Sequence, residues 1–204
     1  MNYTSIIPLR AAKRPKHRPE PSAIEALFAH ASDCDANFRA HALRVAALSV
    51  RVGAALGLRP AELETLELAA KLHDVGKLSV SPRILAKPGP LDEDEWAAMR
   101  RHPVEGARLL APHVSSTEVL AIVQSHHERW DGAGYPEGLS AEQIPLGARI
   151  VAVVDAFCAM TEPRPYRPCL DSRAARSELE AQAGRQFDPV CAEAAHRLTG
   201  AATS

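Results

Sequence analysis

Apolar residues recur at three- and four-residue spacing almost throughout the chain from Ser22 onward, which is the spacing of helices that bury one face. One such stripe runs from His41 to Val52 and stops at Gly57, and Pro60 follows at a natural first-turn position for the next helix. Aromatic residues make up only 4% of the chain, against 46% for all hydrophobic residues, and this balance favours helices over a β-sandwich. The sequence therefore predicts an all-α fold.

Capping patterns mark where several of these helices begin and end. Asp92 and Ser115 each precede a glutamate by three residues, which is the spacing of a capping box. Asp188 is expected to cap the last helix. Because glycine is favoured just after a helix, we expect the helix that begins near residue 60 to end at Gly76.

The segment 148–160 is ambiguous, because its four β-branched residues between positions 150 and 154 would also suit a buried strand. The segment is long for a strand, and the rest of the sequence offers it no strand partner. We therefore predict a buried helix there.

Composition and charge set the expected domain and its surroundings. Residues 1–21 combine five basic side chains with four prolines, so we expect a flexible tail there and one helical domain over residues 22–204. A net charge of −1 gives no reason to expect a nucleic acid polymer or a membrane surface as partner. The apolar segment 148–160 is too short and too charged to span a bilayer. The four cysteines form no Cys-x-x-Cys pair, and we expect a cytoplasmic location.

Nine histidines are the distinctive chemical feature of the chain. Four lie in polar or terminal contexts and are expected to be solvated or capping side chains. The other five lie at or near the ends of apolar stripes; they are His41, His73, His102, His126 and His127. A single histidine of this kind is more often a hydrogen-bonded core residue, but five buried rings all need partners for their nitrogens. A shared metal centre meets that need for all five.

Two carboxylates strengthen the prediction of a metal centre. Asp74 directly follows His73, and Asp155 interrupts the most apolar stretch, where an unpaired carboxylate is very costly. A buried ion pair with Arg149 or a backbone hydrogen bond is the alternative for Asp155, and metal coordination is favoured beside five histidines. Seven mixed ligands exceed a tetrahedral zinc site. We therefore expect two divalent ions bridged by a carboxylate, with iron or manganese favoured and zinc, nickel or magnesium left open.

A pair of metal ions is suited to cleaving phosphoesters, because it activates a water and clamps the attacking and leaving oxygens. Lys77, one turn beyond Asp74, is expected to add positive charge toward a phosphate oxygen. Taken alone, this lysine is explained equally well as a solvated side chain that complements a helix end. The residues thus predict hydrolysis of a phosphoester.

Four motifs in a fixed order make the sequence recognisable. They are His-Asp-Val-Gly-Lys at 73–77, His-Pro at 102–103, His-His-Glu-Arg-Trp-Asp-Gly-Ala-Gly-Tyr-Pro at 126–136 and Asp-Ala-Phe at 155–157. From about residue 38 onward, the chain resembles the HD-GYP family of bacterial signalling phosphodiesterases, which belongs to the HD superfamily of metal-dependent phosphohydrolases. The ordered series is highly specific, whereas the His-Asp pair alone is shared by many phosphohydrolases.

The resemblance implies a single HD-type helical bundle that hydrolyses cyclic di-GMP to pGpG or GMP, with a water or hydroxide between two metals as nucleophile. It assigns the first metal to the residues matching His41, His73, Asp74 and Asp155. It assigns the second to the residues matching Asp74, His102, His126 and His127. Asp74 would then bridge the metals, and Asp74 and Lys77 are the expected catalytic residues.

Basic side chains and a glycine-rich loop are the substrate contacts that the resemblance implies. They are Lys77, Arg164, Arg167, Gly134, Tyr135 and Pro136. Guanidinium groups offer two parallel hydrogen bonds to a phosphate, and the loop glycines allow tight turns. Glu128 is expected to be a partner of a ligating histidine rather than a ligand.

Three positions depart from the family pattern. Asn37 stands where some members have a glutamate that binds a third metal, so we expect two metals. Cys158 and Pro163 stand where aspartates are usual, and neither is an expected ligand. Because Cys158 lies about one helical turn beyond Asp155, we expect these changes to act on helix-end geometry or redox sensitivity.

Two other functions stay open from the sequence. One is a module of low or no activity that binds the dinucleotide or docks on another protein. The other is an HD phosphohydrolase for a different nucleotide, including hybrid cyclic GMP-AMP. The expected partners are the cyclic dinucleotide, a diguanylate cyclase or another signalling protein, and a second copy of the chain in a homodimer.

Overall fold

The computed structural model describes residues 22–35, 37–163 and 169–200, and the tail predicted for residues 1–21 lies outside them. Within these ranges the chain forms ten α-helices, two short 3₁₀ helices and no β-strand. The α-helices are α1 Ala23–Cys34, α2 Phe38–Ala55, α3 Pro60–Leu72, α4 Pro82–Leu85, α5 Glu93–Met99, α6 His102–Leu110, α7 Thr117–Ser125, α8 Leu146–Thr161, α9 Ser172–Ala181 and α10 Pro189–Gly200. The 3₁₀ helices are Val75–Ser79 and Ala141–Gln143.

Helix α2 packs against both α3 and α8, and α7 packs against α3, α6 and α8. Helices α9 and α10 pack on each other and on α8. The largest apolar side chains that are fully buried in the shared core are aliphatic; they include Leu66, Leu72, Leu110, Ile122, Ile150 and Leu179. Since each such side chain contributes about 1.5–3 kcal/mol when it leaves water, aliphatic packing stabilises the bundle. The all-α fold predicted from the sequence is confirmed.

Helix α8 shows that the ambiguous segment 148–160 is a buried helix, as predicted. Ile150, Val151, Val153 and Val154 are all fully buried. A helix that is apolar on most of its faces belongs in the interior of a bundle, and α8 lies there. Among the helices of the described ranges, none has both the length and the apolar character to cross a membrane.

Two predicted helix caps are confirmed. Asp92 Oδ1 accepts a hydrogen bond from the amide of Glu95 at 3.0 Å, and Glu95 Oε2 accepts one from the amide of Asp92 at 2.9 Å. These two hydrogen bonds close a capping box at the start of α5. At the start of α10, Asp188 Oδ1 accepts a hydrogen bond from the amide of Val190 at 2.7 Å.

The cap predicted at Ser115 is wrong by one residue. Ser116 has the extended backbone of an N-cap, and its Oγ accepts a hydrogen bond from the amide of Val119 at 3.3 Å. With α7 starting at Thr117, Glu118 is the second helical residue rather than the third. Its side chain therefore does not have the spacing that a capping box requires.

The boundary after α3 also differs from the prediction. Helix α3 ends at Leu72, and Gly76 lies inside the 3₁₀ helix Val75–Ser79. A Cβ atom on Gly76 would overlap the carbonyl oxygen of His102 and the backbone of Gly106. This glycine is therefore needed for the close approach of α6 rather than for ending a helix, and it helps to position His102.

We expect Gly76→Ala to destabilise the fold by about 3 kcal/mol, because the added methyl group overlaps backbone atoms that cannot move aside alone. Gly57→Ala is the control. Gly57 has φ of +85° but no atom within 4 Å of its Cβ position, so only backbone strain of about 1 kcal/mol is expected there. Urea unfolding measures both losses, and equal losses would contradict the role of Gly76 in packing.

Candidate metal centre

Seven side chains from separate segments of the bundle converge on one region. They are His41 from α2, His73 and Asp74 after α3, His102 at the start of α6, His126 and His127 after α7, and Asp155 in α8. Their donor atoms form two groups, and within each group the donor atoms lie within 4.8 Å of one another. One group holds Asp74, His102, His126 and His127, and the other holds His41, His73 and Asp155. The structure thus brings together all the residues predicted to bind metal.

The carboxylate of Asp74 lies between the two groups. Its Oδ1 atom is 3.2 Å from Nε2 of His102, and its Oδ2 atom is 3.5 Å from Nε2 of His73. The Asp74 side chain is only 8% exposed, so both oxygens are turned toward the interior of the site. Each oxygen faces a different group of donor atoms, which is the placement that a bridging carboxylate needs.

Three of the histidines are oriented by backbone carbonyls at helix ends. In each, Nδ1 lies within hydrogen-bond distance of the carbonyl oxygen three residues earlier. The pairs are His73 with Ala70 at 2.8 Å, His102 with Met99 at 2.8 Å, and His126 with Val123 at 2.7 Å. All three carbonyls belong to the last turn of a helix, where carbonyls have no partner within the helix. Because a carbonyl only accepts hydrogen bonds, Nδ1 carries the proton and the neutral ring presents a lone pair at Nε2.

These lone pairs point at one another without a proton to share. The Nε2 atoms of His102 and His126 are 3.3 Å apart. The Nε2 atom of His73 is buried and has no hydrogen-bond partner. Converging acceptors of this kind are unfavourable unless a cation lies among them. The donor set of neutral imidazoles and carboxylates therefore fits divalent metal ions.

His41 is oriented by a side chain instead of a carbonyl. Its Nδ1 atom is 2.8 Å from Oε2 of Glu162, and its Nε2 atom is 3.0 Å from Oδ1 of Asp155. Arg149 donates a hydrogen bond to Asp188 at 2.6 Å, so the ion pair considered between Arg149 and Asp155 is wrong. No sequence motif marks Glu162. Its spacing of seven residues from Asp155, about two helical turns, is the sequence signal that the two side chains lie on the same side of the chain.

Burial keeps the two histidines after α7 neutral. It lowers the pKa of His126 to well below the usual histidine value, and the neighbouring His127 adds to the effect. Burial leads the causes that lower the pKa of His127 to about 3. A neutral ring is the form that binds a metal, so neither histidine needs to lose a proton near neutral pH.

The two carboxylates are held in their ionised form. Burial alone would raise the pKa of Asp74, but the ammonium group of Lys77 leads the neighbours that hold it well below its usual value. Burial would also raise the pKa of Asp155, and the neighbouring ring of His41, whose Nε2 lies 3.0 Å from Oδ1, leads the groups that lower it instead. Both side chains are therefore in the form that ligates a cation.

Lys77 lies at the edge of this centre, where its Nζ contacts Oδ2 of Asp74. The Lys77 side chain is 35% exposed, and that of Asp155 is 21% exposed, whereas His73 is fully buried. The centre is thus closed on the side of His73 and accessible on the side of Lys77 and Asp155. The ammonium group stands on the side from which a charged ligand can approach.

Glu128 holds the glycine-rich loop. Its side chain is buried, and Oε1 accepts hydrogen bonds from the amides of Glu137 at 2.7 Å and Gly138 at 3.1 Å. A Cβ atom on Gly134 would overlap the backbone of Glu128 and Arg129, so the loop folds back tightly on this residue. The prediction that Glu128 supports a ligating histidine is therefore wrong, because its carboxylate is turned toward the loop.

The loop brings an aromatic ring to the donor groups. The ring of Tyr135 faces that of His127, with centroids 5.0 Å apart and planes inclined by 33°. Arg100 lies over the Tyr135 ring and over the Trp96 ring, 5.8 Å from each centroid. Pro136 follows Tyr135 through a cis peptide bond. The loop residues predicted to contact a substrate thus border the centre.

Several other predicted residues lie outside the donor groups. Arg164 and Arg167 fall outside the residues that the structure describes, so their role stays a prediction. Asn37 is exposed before α2 and belongs to neither group. Cys158 is fully buried, and burial raises the pKa of its thiol to about 12. A protonated, inaccessible thiol does not fit the redox sensitivity considered for Cys158.

The sequence and the fold both have known relatives. A family model described as HD domain matches residues 25–191. The chain belongs to the HD domain family. The solved structure of Bd1817, an HDG"Y"P protein from Bdellovibrio bacteriovorus, has a TM-score of 0.65 and 19% sequence identity, and covers 87% of this chain and 60% of that chain. The predicted HD-type helical bundle is confirmed.

Two curated relatives carry names that bear on the HD-GYP resemblance. The cyclic di-GMP phosphodiesterase response regulator RpfG of Xanthomonas campestris is 48% identical over 141 residues, which are 68% of this HD domain chain and 37% of the relative. The 3'3'-cGAMP-specific phosphodiesterase 2 of Vibrio cholerae is 40% identical over 156 residues, 76% of this chain and 30% of the relative. The HD-GYP resemblance is confirmed, and the chain spans well under half the length of these relatives.

We expect Glu128→Ala to release the loop, because two backbone amides lose a charged acceptor, with a loss of stability of about 2 kcal/mol. Amide hydrogen exchange of Glu137 and Gly138 should become faster. Glu137→Ala is the matched control, since its side chain accepts a hydrogen bond only from Gln124 in the described contacts. Unchanged exchange at both amides in Glu128→Ala would contradict this role.

Proposed function

We propose that this HD domain hydrolyses cyclic di-GMP to pGpG or GMP at a centre of two divalent metal ions. The observation that carries the proposal is the placement of Asp74, whose two oxygens face two separate groups of donor atoms. A bridged pair of ions is a device for cleaving phosphodiesters, and these donor groups provide for such a pair.

Each metal would be held by four protein side chains, with Asp74 shared. The first set is His41, His73, Asp74 and Asp155. The second set is Asp74, His102, His126 and His127. Mixed imidazole and carboxylate ligands favour iron or manganese. When bound, the ions lower the pKa of a coordinated water to near neutrality and neutralise charge on the phosphodiester.

The remaining residues would bind and orient the dinucleotide. The ammonium group of Lys77 stands at the accessible edge of the site, within reach of an oxygen of the scissile phosphate. Tyr135 offers an aromatic face beside His127, on which a base can stack. Arg164 and Arg167 would contact phosphate or guanine, as the resemblance implies.

The names of the relatives support the substrate class. RpfG is named a cyclic di-GMP phosphodiesterase, and cyclic di-GMP is therefore our first substrate. A specific observation favours hydrolysis of 3'3'-cGAMP as the second candidate, since a relative 40% identical to this chain is named for that activity. The presence of all seven donor residues in two groups argues against an inactive binding module. The cytoplasmic location, a diguanylate cyclase partner and a homodimer stay predictions.

Turnover under anaerobic conditions tests this function. We expect protein loaded with Fe(II) or Mn(II) to hydrolyse cyclic di-GMP, with the product pGpG or GMP identified by chromatography. The rate is compared with the rates for 3'3'-cGAMP and cyclic di-AMP. Asp74→Asn should reduce the rate to background, because the shared ligand of both ions is weakened. Asp94→Asn, on the exposed face of α5, should leave the rate unchanged.

Two results would count against the proposal. Absence of turnover of cyclic di-GMP with both metals would contradict it, and tight binding without turnover would favour the binding module instead. Faster turnover of 3'3'-cGAMP than of cyclic di-GMP would make the hybrid dinucleotide the substrate of the same site.

A further inference from the structure

The two groups of donor atoms differ in how their histidine rings are fixed. His73, His102 and His126 are each bonded through Nδ1 to a carbonyl of the helical turn just before them. The Nδ1 atom of His41 instead contacts Glu162, which is 121 residues away in the chain. The orientation of His41 therefore depends on the packing of two helices, whereas the other three rings are fixed locally.

Helix α2 contributes two side chains to this contact, and α8 with the residue that follows it contributes two more. His41 and Arg44 lie three residues apart on one face of α2, and Asp155 and Glu162 lie seven residues apart along α8. The imidazole ring of His41 fits between the two carboxylates, 2.8 Å from Glu162 Oε2 and 3.0 Å from Asp155 Oδ1. One carboxylate thus contacts each nitrogen of the ring.

The second oxygen of Glu162 has its own contact. Oε1 is 3.3 Å from Nη1 of Arg44, and Nη2 of Arg44 donates a hydrogen bond to Thr161 at 2.7 Å. Glu162 therefore contacts Arg44 through one oxygen and His41 through the other. Because Glu162 meets the ring at Nδ1, on the opposite edge from Asp155, its carboxylate is placed to orient His41 and not to join the donor group.

We propose that Glu162 is a positioning residue for the metal ion held by His41, His73 and Asp155. Its carboxylate accepts a hydrogen bond from Nδ1 of His41, which favours the tautomer with the proton on Nδ1 and leaves Nε2 to bind that ion. A carboxylate in this position also makes the imidazole a stronger ligand. The inference rests on the proposed metal centre, and it goes further by making one of the two ions depend on a residue outside the ligand set.

The effect of Glu162 should be confined to one ion. His102 and His126 take their orientation from Met99 and Val123, so the second donor group does not depend on the end of α8. Losing a carboxylate that orients a metal-ligating histidine weakens metal binding by about 10- to 100-fold. Glu162→Ala should therefore weaken binding of one ion by this factor and leave the other at its wild-type affinity.

Titration of the chelator-stripped full chain with Mn(II), followed by metal analysis after gel filtration, tests this inference. We expect two ions per chain for the wild type and one for Glu162→Ala at the lowest Mn(II) concentration that fills both sites of the wild type. Glu162→Gln keeps an acceptor for Nδ1 and should bind the ion held by His41, His73 and Asp155 with intermediate affinity. This variant also serves if removal of the whole side chain prevents folding.

Arg44→Ala is the matched control, because it removes the ion pair with Glu162 but keeps the contact between Glu162 and His41. If Glu162 acts by orienting the ring, Arg44→Ala should retain two ions, even if its thermal midpoint falls as far as that of Glu162→Ala. Equal loss of one ion in both variants would overturn the inference in favour of a simple link between helices. Two ions bound with wild-type affinity in Glu162→Ala would overturn it directly.

A turnover measurement separates this inference from the proposed function. Saturating Mn(II) should restore most of the cyclic di-GMP hydrolysis of Glu162→Ala, because the ligands themselves are intact. Saturating Mn(II) should not restore cyclic di-GMP hydrolysis by the His41→Ala variant, which lacks one of the ligands. The wild type could show no hydrolysis while the variants still differ in Mn(II) binding as described. That result would contradict the proposed substrate and support the role of Glu162.

Discussion

The hydrogen bonds from histidine Nδ1 atoms to helix-end carbonyls are the interactions on which the rest of this site depends. At His73 and His126, the carbonyls come from the last turns of α3 and α7, which have no amide partner inside their helices. Each contact satisfies one such carbonyl and one ring nitrogen at once. The remaining nitrogen of each ring, Nε2, then directs a lone pair into the interior. These converging acceptors need a cation as their partner.

The same logic explains why three histidines of the donor groups closely follow the end of a helix. A histidine in the middle of a helix finds every nearby carbonyl occupied, whereas one just after α3 or α7 finds a free acceptor three residues back. Asp74 follows His73 directly, so the turn that fixes the ring also delivers the shared carboxylate. Gly76 then allows α6 to approach closely enough to bring His102 to that carboxylate.

Much of this arrangement could be predicted from the sequence, because the helical spacing and the ordered motifs are local signals. The all-α bundle, the buried helix α8 and the convergence of seven donor residues follow from them. Contacts between distant segments could not be predicted in this way. Glu162 reaches His41 only because α8 packs on α2, and Glu128 turns to the loop because Gly134 folds back on it. Ser116 replaces Ser115 as a cap because the backbone, not the residue type, decides which serine is extended.

Anomalous diffraction from crystals of the Mn(II)-loaded protein tests the central claim most directly. The structure predicts two anomalous peaks per chain, one within each donor group, with the carboxylate of Asp74 between them and Nε2 of His41 turned toward one of them. A single peak, or two peaks without the Asp74 carboxylate between them, would contradict a centre built on this shared ligand.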